Sequence, residues 1–225
     1  KNCWVKARAF SWMVALLHFD KLLQIPLIIL HKAAGFSFQK MIELFNDVDK
    51  SRFPLIAEIK EHFFERAKAI QNGGTEYYYS QDWLGIWWPD DEYQLIRLSA
   101  ENKLVKFYAE SKCLLGELLQ QTNNLDLYPL LEDSIKINLA LLKQPNFYDD
   151  LEIKCDHNIL EVYTETIKGH PLLPKRIKST YHINRSTQTW DDWQTWCREV
   201  IWYGNKKGDY LYGSNNYEKE YAGHY

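Results

Sequence analysis

Helical spacing of apolar residues is the feature that most constrains the fold, and it runs through most of the chain before residue 145. The strongest pattern predicts a helix over residues 53–70, where apolar side chains recur every three or four positions. Pro54 suits its first turn, and Asn72-Gly73-Gly74 ends it. Its apolar face consists of Ile56, Ile59, Phe63, Phe64, Ala67 and Ile70. A face of this width is typical of a helix that packs on a core.

Similar patterns predict further helices before and after this one. Residues 6–18 form an uninterrupted apolar pattern, typical of a buried helix. Pro26 lies near the start of a helix over 27–34, which Gly35 can cap, and Ser37 can cap a third helix through residue 45. Asp90 can cap a long helix over 91–121. The remaining predicted helices cover residues 129–143, 159–168 and 191–203.

The fold class follows from these helices and from two short stretches of alternating character. Residues 151–155 and 177–183 alternate in polarity and predict two strands that can pair. We therefore predict a mostly α fold, with a helical bundle over residues 1–145 and a small α+β extension over 146–213 packed on it. The polar residues 214–225 predict a mobile tail. The chain opens in a helical pattern with no initiator Met, so we expect that an N-terminal part of the protein precedes it.

Charge and hydropathy argue against two classes of partner. A net charge of −3 gives no strong basic field for nucleic acid. The longest apolar stretch, residues 22–30, is broken by Gln24 and Pro26. It is shorter than the roughly 20 apolar residues that a membrane span needs. We expect neither a nucleic-acid partner nor a membrane partner.

The cysteines exclude two kinds of local metal centre. Cys3, Cys113, Cys155 and Cys197 stand singly, without a C-x-x-C or a C-x-x-x-C-x-x-C spacing. No zinc site or iron–sulfur cluster is therefore encoded, and we assign no metal ligands and no catalytic residue. Isolated cysteines in a chain of this length fit buried thiols in a reducing compartment, so we expect a cytoplasmic protein.

Aromatic residues are in excess, with 9 Trp, 15 Tyr and 10 Phe, and they concentrate in residues 75–91. The rings of that segment are Tyr77, Tyr78, Tyr79, Trp83, Trp87 and Trp88. One helix face or strand face cannot bury so many neighbouring rings, so we expect some to reach a substrate or another domain. The alternative is a loop folded back on its own helices.

Charged residues beside tryptophans complete the candidate site. Asp90, Asp91 and Glu92 could hold a metal or a cationic substrate, but favourable charge in a first helical turn explains them better. Arg198 and Glu199 could reach a substrate or a partner domain, or face solvent. The candidate contacts to substrate or to another domain are Trp83, Trp87, Trp88, Asp90, Glu92, Tyr93, Arg198 and Glu199.

Two stretches carry a resemblance to a known family. The segment ARAFSWMVALLHFDKLLQIPLIILH, residues 7–31, followed by GFSFQKMIELF, residues 35–45, resembles the region after the catalytic barrel of cobalamin-dependent radical SAM enzymes. The segment WDDWQTWCREVIWYGNKKG, residues 190–208, resembles the end of the same proteins. These are helical patterns near both ends of the chain, without a catalytic signature.

The resemblance implies a role in a larger enzyme. In that family a Rossmann-like domain binds cobalamin, a barrel binds S-adenosylmethionine and an iron–sulfur cluster, and a C-terminal domain completes the substrate pocket. This chain matches the last part only, so the cofactors would belong to upstream domains of the same protein and none to this chain. The implied function is substrate positioning in a methyltransferase that acts on an unactivated carbon. The alternative is a stand-alone helical protein-interaction module without catalytic activity.

Overall fold

The computed structural model describes residues 2–205 and 207–213, and it confirms a mostly helical fold with a small α+β part. The π-helical segment Ala15–Phe19 continues the first α-helix, and a second π-helical segment, Cys197–Trp202, joins the last two α-helices. A 3-10 turn covers Leu125–Leu127. The α-helices are α1 (Asn2–Val14), α2 (Gln24–Ala34), α3 (Phe38–Asn46), α4 (Pro54–Gln71), α5 (Asp90–Ala100), α6 (Leu104–Gln121), α7 (Tyr128–Leu141), α8 (Ile159–Ile167), α9 (Trp193–Trp196) and α10 (Tyr203–Asn205). The predicted tail, 214–225, lies outside the described residues.

The predicted caps at Gly35 and Ser37 are confirmed. Gly35 adopts a left-handed φ of 71° and its N–H donates to the carbonyl of His31 at 2.9 Å. The Ser37 hydroxyl accepts the N–H of Lys40 at 3.1 Å at the start of α3. Glycine tolerates the left-handed conformation, and a serine oxygen satisfies an orphan N–H, so both signals act through local geometry.

The predicted long helix over 91–121 is wrong, because the chain breaks between α5 and α6. Asn102 sits at a φ of 53°, and the N–H of Lys103 turns back to the carbonyl of Leu98 at 2.8 Å. Asparagine is among the few residues that accept this left-handed conformation, so it ends α5. Asp90 is also not the cap that we predicted. It is the first residue of α5, and its carboxylate serves a tertiary ion pair.

Both sheets are two-stranded and antiparallel. Strands β3 (Leu151–Cys155) and β4 (Ser179–Ile183) pair as predicted, with Ile153 opposite Tyr181. Strands β1 (Tyr78–Ser80) and β2 (Ile86–Trp88) form a hairpin in the aromatic segment, where no strand was predicted. Three-residue strands are too short to show a clear period of two in sequence.

One continuous cluster of buried apolar side chains runs from Val5 to Tyr212. Helix α1 packs on α3 and α4, while α2 packs on α7 and α8, and α6 lies against both α4 and α7. The segment after α10 joins this core through a β-bridge between Leu142 and Leu211. The boundary near residues 146–150 stays a prediction.

No single helix among residues 2–205 and 207–213 is long and apolar enough to cross a membrane. The segments Cys3–Phe19 and Gln24–Ala34 reach the necessary length and hydropathy only together, across a bend of 90°.

Glu110 on α6 caps the start of α4 from a distance. Its carboxylate Oε2 accepts the backbone N–H groups of both Leu55 and Ile56 at 3.0 Å, and the residue is 9% exposed. We predict that Glu110→Ala lowers the free energy of unfolding by roughly 2 kcal/mol, since it leaves two buried N–H groups unpaired and removes a charge from a helix N-terminus. Urea denaturation followed by circular dichroism measures this.

The matched control for this variant is Glu117→Ala on the same helix. Glu117 pairs with Arg52 at the surface, so its removal should cost less than about 1 kcal/mol. Equal losses in the two variants would contradict the capping role of Glu110.

Candidate functional site

A polar cleft with a volume of about 330 Å³ opens beside the last helical region. Four separate parts of the chain build it: Lys143 after α7, the loop before α9, the second π-helical segment and the segment after α10. Its lining residues are Lys143, Thr187, Gln188, Thr189, Trp190, Glu199, Val200 and Asp209. A volume of this size lies at the lower end of small-molecule sites in proteins.

Lys143 forms the buried wall of the cleft. The residue is 3% exposed, and its Nζ donates to the Oδ1 of Asp209 at 2.6 Å. Burial lowers the pKa of this ammonium, and the pairing with Asp209 opposes that shift. The backbone of Lys143 is also fixed, because its N–H donates to the carbonyl of Tyr210 at 3.0 Å and its carbonyl accepts Trp196 Nε1 at 3.1 Å.

Glu199 and Gln188 also line the cleft. Glu199 accepts the indole N–H of Trp190 on its Oε2 at 3.0 Å, while the residue stays exposed. The side-chain carbonyl oxygen of Gln188 is buried and has no hydrogen-bond partner. The loop that carries both Gln188 and Trp190 is held in place, since Tyr148 donates its hydroxyl to the Trp190 carbonyl at 2.5 Å.

A buried acidic network lies under the segment that supplies Asp209. Asp20, 3% exposed, lies beside the Tyr210 hydroxyl, and Glu92, 3% exposed, accepts a hydrogen bond from Asn205. Burial raises the pKa of Asp20 well above its usual range and that of Glu92 to about 8. Burial likewise raises the pKa of Asp91 to about 6. Repulsion among the carboxylates adds to each shift.

The aromatic hairpin is a second feature of the surface. Tyr78 pairs with Trp88 and Tyr79 pairs with Trp87, so the rings alternate between the two faces of the hairpin. Trp88 is 1% exposed, whereas Trp87 is 52% exposed and lies 5.3 Å from the Tyr79 ring. The alternation explains how neighbouring rings can be accommodated, because Trp88 is buried and Tyr78 half-buried on one face, while Tyr79 and Trp87 are exposed on the other.

An ion pair holds the base of the hairpin. The carboxylate of Asp90 is fully buried and accepts Arg66 Nε at 2.9 Å and His62 Nε2 at 3.0 Å. Arg66 also donates to the carbonyls of Thr75 and Tyr77. Asp90 therefore positions a guanidinium that fixes the strand, and the helix-charge explanation of this residue is incomplete.

The tip of the hairpin is tied to the last helical region. The side-chain oxygen of Gln194 accepts the N–H of Leu84 at 2.9 Å, and its amide N–H donates to the carbonyl of Asp82. Leu84 holds a left-handed φ of 59°, which a leucine adopts only under constraint. The rings of Trp83 and Trp193 meet edge to face at 6.4 Å.

The predicted site residues lie in three places rather than in one site. Trp83, Trp87, Trp88, Asp90 and Tyr93 belong to the hairpin and its base, where Tyr93 stacks on Tyr78 at 4.1 Å. The other three lie elsewhere. Glu199 lines the cleft, Arg198 is exposed on the same segment, and Glu92 belongs to the acidic network.

The sequence patterns did not predict several polar residues of this region, above all Lys143, Asp209 and Asp20. A signal existed for Asp20, since Asp20-Lys21 interrupts an otherwise apolar run between two helices. Such a charged pair is seldom buried unless it has partners. For Lys143 and Asp209, 66 residues apart, no local pattern indicates that they meet.

The cysteines do not form a site. Cys155 and Cys197 are buried, as expected. Cys3 and Cys113 are exposed, so the expectation of buried thiols is wrong for these two residues. Within residues 2–205 and 207–213, no group of three His, Cys, Asp or Glu side chains is arranged to hold a metal ion. No protein-family model matches the sequence, and no curated protein matches it significantly.

Proposed function

We propose that the chain is the C-terminal substrate-positioning domain of a cobalamin-dependent radical SAM enzyme that methylates an unactivated carbon. The observation that carries the proposal is the polar cleft, which brings Lys143, Glu199 and Asp209 together from separate parts of the chain. Preformed charged groups in a cleft orient a polar substrate, and orientation is what the family's C-terminal domain contributes. Glu199 lies within residues 190–208, one of the two stretches that resemble the family.

The cofactors belong to other domains in this proposal. S-adenosylmethionine, the iron–sulfur cluster and cobalamin would be bound by the barrel and the cobalamin domain upstream of residue 1. The scattered cysteines of this chain do not fit a cluster. The cleft would complete the substrate pocket and exclude water from it.

The aromatic hairpin would face the upstream barrel. The ring pair Tyr79 and Trp87 is exposed, while the ion pair of Asp90 and the bonds of Gln194 hold the hairpin at its base and its tip. A preorganised pair of exposed rings is a suitable anchor, because little side-chain entropy is lost when it is covered.

We expect Trp87→Ala to impair docking without impairing folding. In the protein that includes the barrel, the loss of one anchoring ring should cost about 2 kcal/mol, or roughly a thirtyfold loss of turnover at a fixed substrate concentration. The melting temperature of the 225-residue chain should hardly change, since Trp87 is 52% exposed. Turnover and thermal denaturation measure the two effects.

Two controls accompany this variant. Phe19→Ala removes an aromatic ring that is 64% exposed elsewhere and should change neither property. Trp88→Ala removes a buried ring whose indole N–H donates to the Trp83 carbonyl at 3.0 Å, so it should cost roughly 3 to 5 kcal/mol of folding stability. Unchanged turnover in Trp87→Ala would contradict docking through the hairpin.

The coding sequence upstream of residue 1 tests the proposal as a whole. We expect a C-x-x-x-C-x-x-C motif in a barrel-type pattern, preceded by a cobalamin-binding domain. An open reading frame without that motif would reject the enzyme assignment.

The second candidate is a stand-alone helical interaction module. The exposed rings of Tyr79 and Trp87 favour it as well, since aromatic residues are enriched in protein interfaces. The two candidates differ at the cleft. Substitution of Glu199 should impair an enzyme domain and leave binding through the hairpin intact.

A further inference from the structure

One wall of the polar cleft is formed by residues 203–205 and 207–212, which follow the second π-helical segment and are called the strap below. Asp209 of the strap lines the cleft and accepts Lys143 Nζ at 2.6 Å. The strap is also bonded to the end of α7 through its backbone, since the carbonyl of Tyr210 accepts the N–H of Lys143 at 3.0 Å. The position of the strap therefore decides whether this wall of the cleft is closed.

The strap also contacts two buried carboxyl groups. Asn205 donates its side-chain amide to Glu92 of α5, which is 3% exposed. Tyr210, 1% exposed, lies beside Asp20, which follows the first π-helical segment and is 3% exposed. The Oδ2 of Asp20 is buried without a hydrogen-bond partner. The residues on both sides of Asp209 are thus held against acids that water does not reach.

No counter-ion neutralises these two carboxyl groups within residues 2–205 and 207–213, because no Lys, Arg or His side chain there pairs with Asp20 or Glu92. The charged neighbour that faces both of them is a third acid, Asp91. A buried carboxylate without a counter-ion is costly, so the folded protein favours the protonated form of both groups. Burial first, and repulsion from Asp91 second, raise the pKa of Glu92 to about 8.

Two cations lie close to this network, and each faces another acid. Arg8 of α1 faces Asp91, but it is paired with Glu76. Lys21 faces Asp209 of the strap, which opposes the lowering of the Lys21 pKa by burial. The strap therefore contacts a neutral pair of acids on one part and an ion-paired carboxylate, Asp209, on the next.

We propose that the strap is a pH-sensitive closure of the polar cleft, held in place while Asp20 and Glu92 keep their protons and released when these groups ionise. Ionised carboxylates gain hydration when they reach water, and the groups that stand in the way are Asn205 and Tyr210 of the strap. Because Asp209 lies between these two residues, their release withdraws it from Lys143 and opens the cleft. The inference deepens the proposed function and rests on it, since the strap would regulate entry of the substrate to the same cleft.

Native-state hydrogen exchange of the 225-residue chain, followed by NMR at pH 6 and pH 8, tests the proposal. The reporters are the N–H groups of Lys143 and Tyr212, which donate to the carbonyls of Tyr210 and Leu141 and so join the strap to α7. Each exchange rate is divided by the intrinsic rate at the same pH. We expect both reporters to be less protected than the amide of Phe63, in the buried part of α4, because the strap opens without global unfolding. Their protection should fall at least about tenfold from pH 6 to pH 8, since the closed strap holds protons that the open strap loses.

Two variants assign the fall in protection to the buried acids. Glu92→Gln keeps an oxygen for Asn205 but has no proton to lose, so the fall between pH 6 and pH 8 should become less than about threefold. Asp20→Asn, the matching change at the other buried carboxyl group, should reduce the fall as well. Glu43→Gln, at an exposed position on α3, is the control and should behave like the original chain.

Three results would overturn the proposal. The reporters could be as protected as the Phe63 amide at both pH values, which means that the strap opens only when the whole protein unfolds. Their protection could stay constant between pH 6 and pH 8, or the fall could persist in both Glu92→Gln and Asp20→Asn. Each of these failures leaves the upstream cluster motif untouched, so it is distinguishable from failure of the proposed function.

Discussion

Replacing Asn138 by leucine should lower the free energy of unfolding by roughly 4 kcal/mol or more. Asn138 on α7 is fully buried, and its Oδ1 accepts the N–H of Ile25 at 3.0 Å. Its Nδ2 lies within 3.0 Å of the carbonyls of Lys21 and Leu22 and of the Tyr108 hydroxyl. One amide therefore satisfies the turn that connects the π-helical end of α1 to the start of α2.

The size of this effect follows from the groups that leucine would leave unpaired. Each buried group without a partner costs about 1 to 3 kcal/mol, so the loss of several costs roughly 4 kcal/mol or more. A domain is typically stable by only about 5 to 15 kcal/mol. Urea denaturation followed by circular dichroism at each step measures the loss.

Asn46→Leu is the matched control for Asn138→Leu. Asn46 is half-buried, and its amide donates to the carbonyl of Ile42 at 3.4 Å, which is a weak bond. Its loss should cost less than about 1 kcal/mol. If Asn138→Leu unfolds with the same free energy as the original chain, the backbone groups of the turn have other hydrogen-bond partners.

Sequence patterns predicted those elements whose cause is local. Helix α4 and the caps of α2 and α3 follow from apolar spacing, a glycine and a serine, which act within a few residues. Strands β3 and β4 follow from alternation over five residues each. The break at Asn102 was missed because apolar spacing continues across it, and an asparagine is an ambiguous stop signal.

The candidate site was harder to predict from the sequence, because its contacts join distant parts of the chain. Glu199 was singled out from the sequence, but its neighbours in the cleft, Lys143 and Asp209, lie in unrelated segments. The aromatic segment was singled out from the sequence, yet the hairpin that separates exposed Trp87 from buried Trp88 was missed. Packing, rather than spacing, decides which ring faces solvent.

The free energy of unfolding should fall as the pH rises from about 5 to 8, the range that the buried acidic network sets. Burial first, and repulsion from neighbouring carboxylates second, raise the pKa of Glu92 from 4.5 to about 8 and hold that of Asp20 well above its usual range. The same burial raises the pKa of Asp91 to about 6. Asn205 donates to Glu92 and opposes its shift, but burial prevails.

The sign follows from the protons that each state holds. In the unfolded chain these carboxyl groups lose their protons near pH 4, whereas in the folded protein they retain them to higher pH. The folded state therefore binds more protons, and its stability is present at low pH and lost as the pH rises toward 8. For Glu92 alone the loss between pH 4 and pH 8 is roughly 3 to 4 kcal/mol.

Surface carboxylates have the opposite effect, because they lower the stability of the folded protein at low pH. Backbone N–H groups lower the pKa values of Asp49, Asp150 and Asp192, and those groups contribute stability above the pKa of the unfolded chain. That contribution is lost as the pH falls through their folded pKa values. The two trends together place the maximum of stability near pH 5 rather than at neutral pH.

The variant Glu92→Gln isolates the contribution of the acidic network to the pH dependence of stability. Glutamine retains an oxygen that can accept from Asn205 but carries no proton to lose, so the variant should gain roughly 3 kcal/mol at pH 8 and little at pH 5. Urea denaturation at the two pH values measures the difference, and Glu43→Gln, at an exposed position on α3, is the control that should leave both unchanged. If Glu92→Gln loses stability equally at both pH values, the folded protein holds Glu92 ionised. A cation would then have to neutralise its charge in the folded protein.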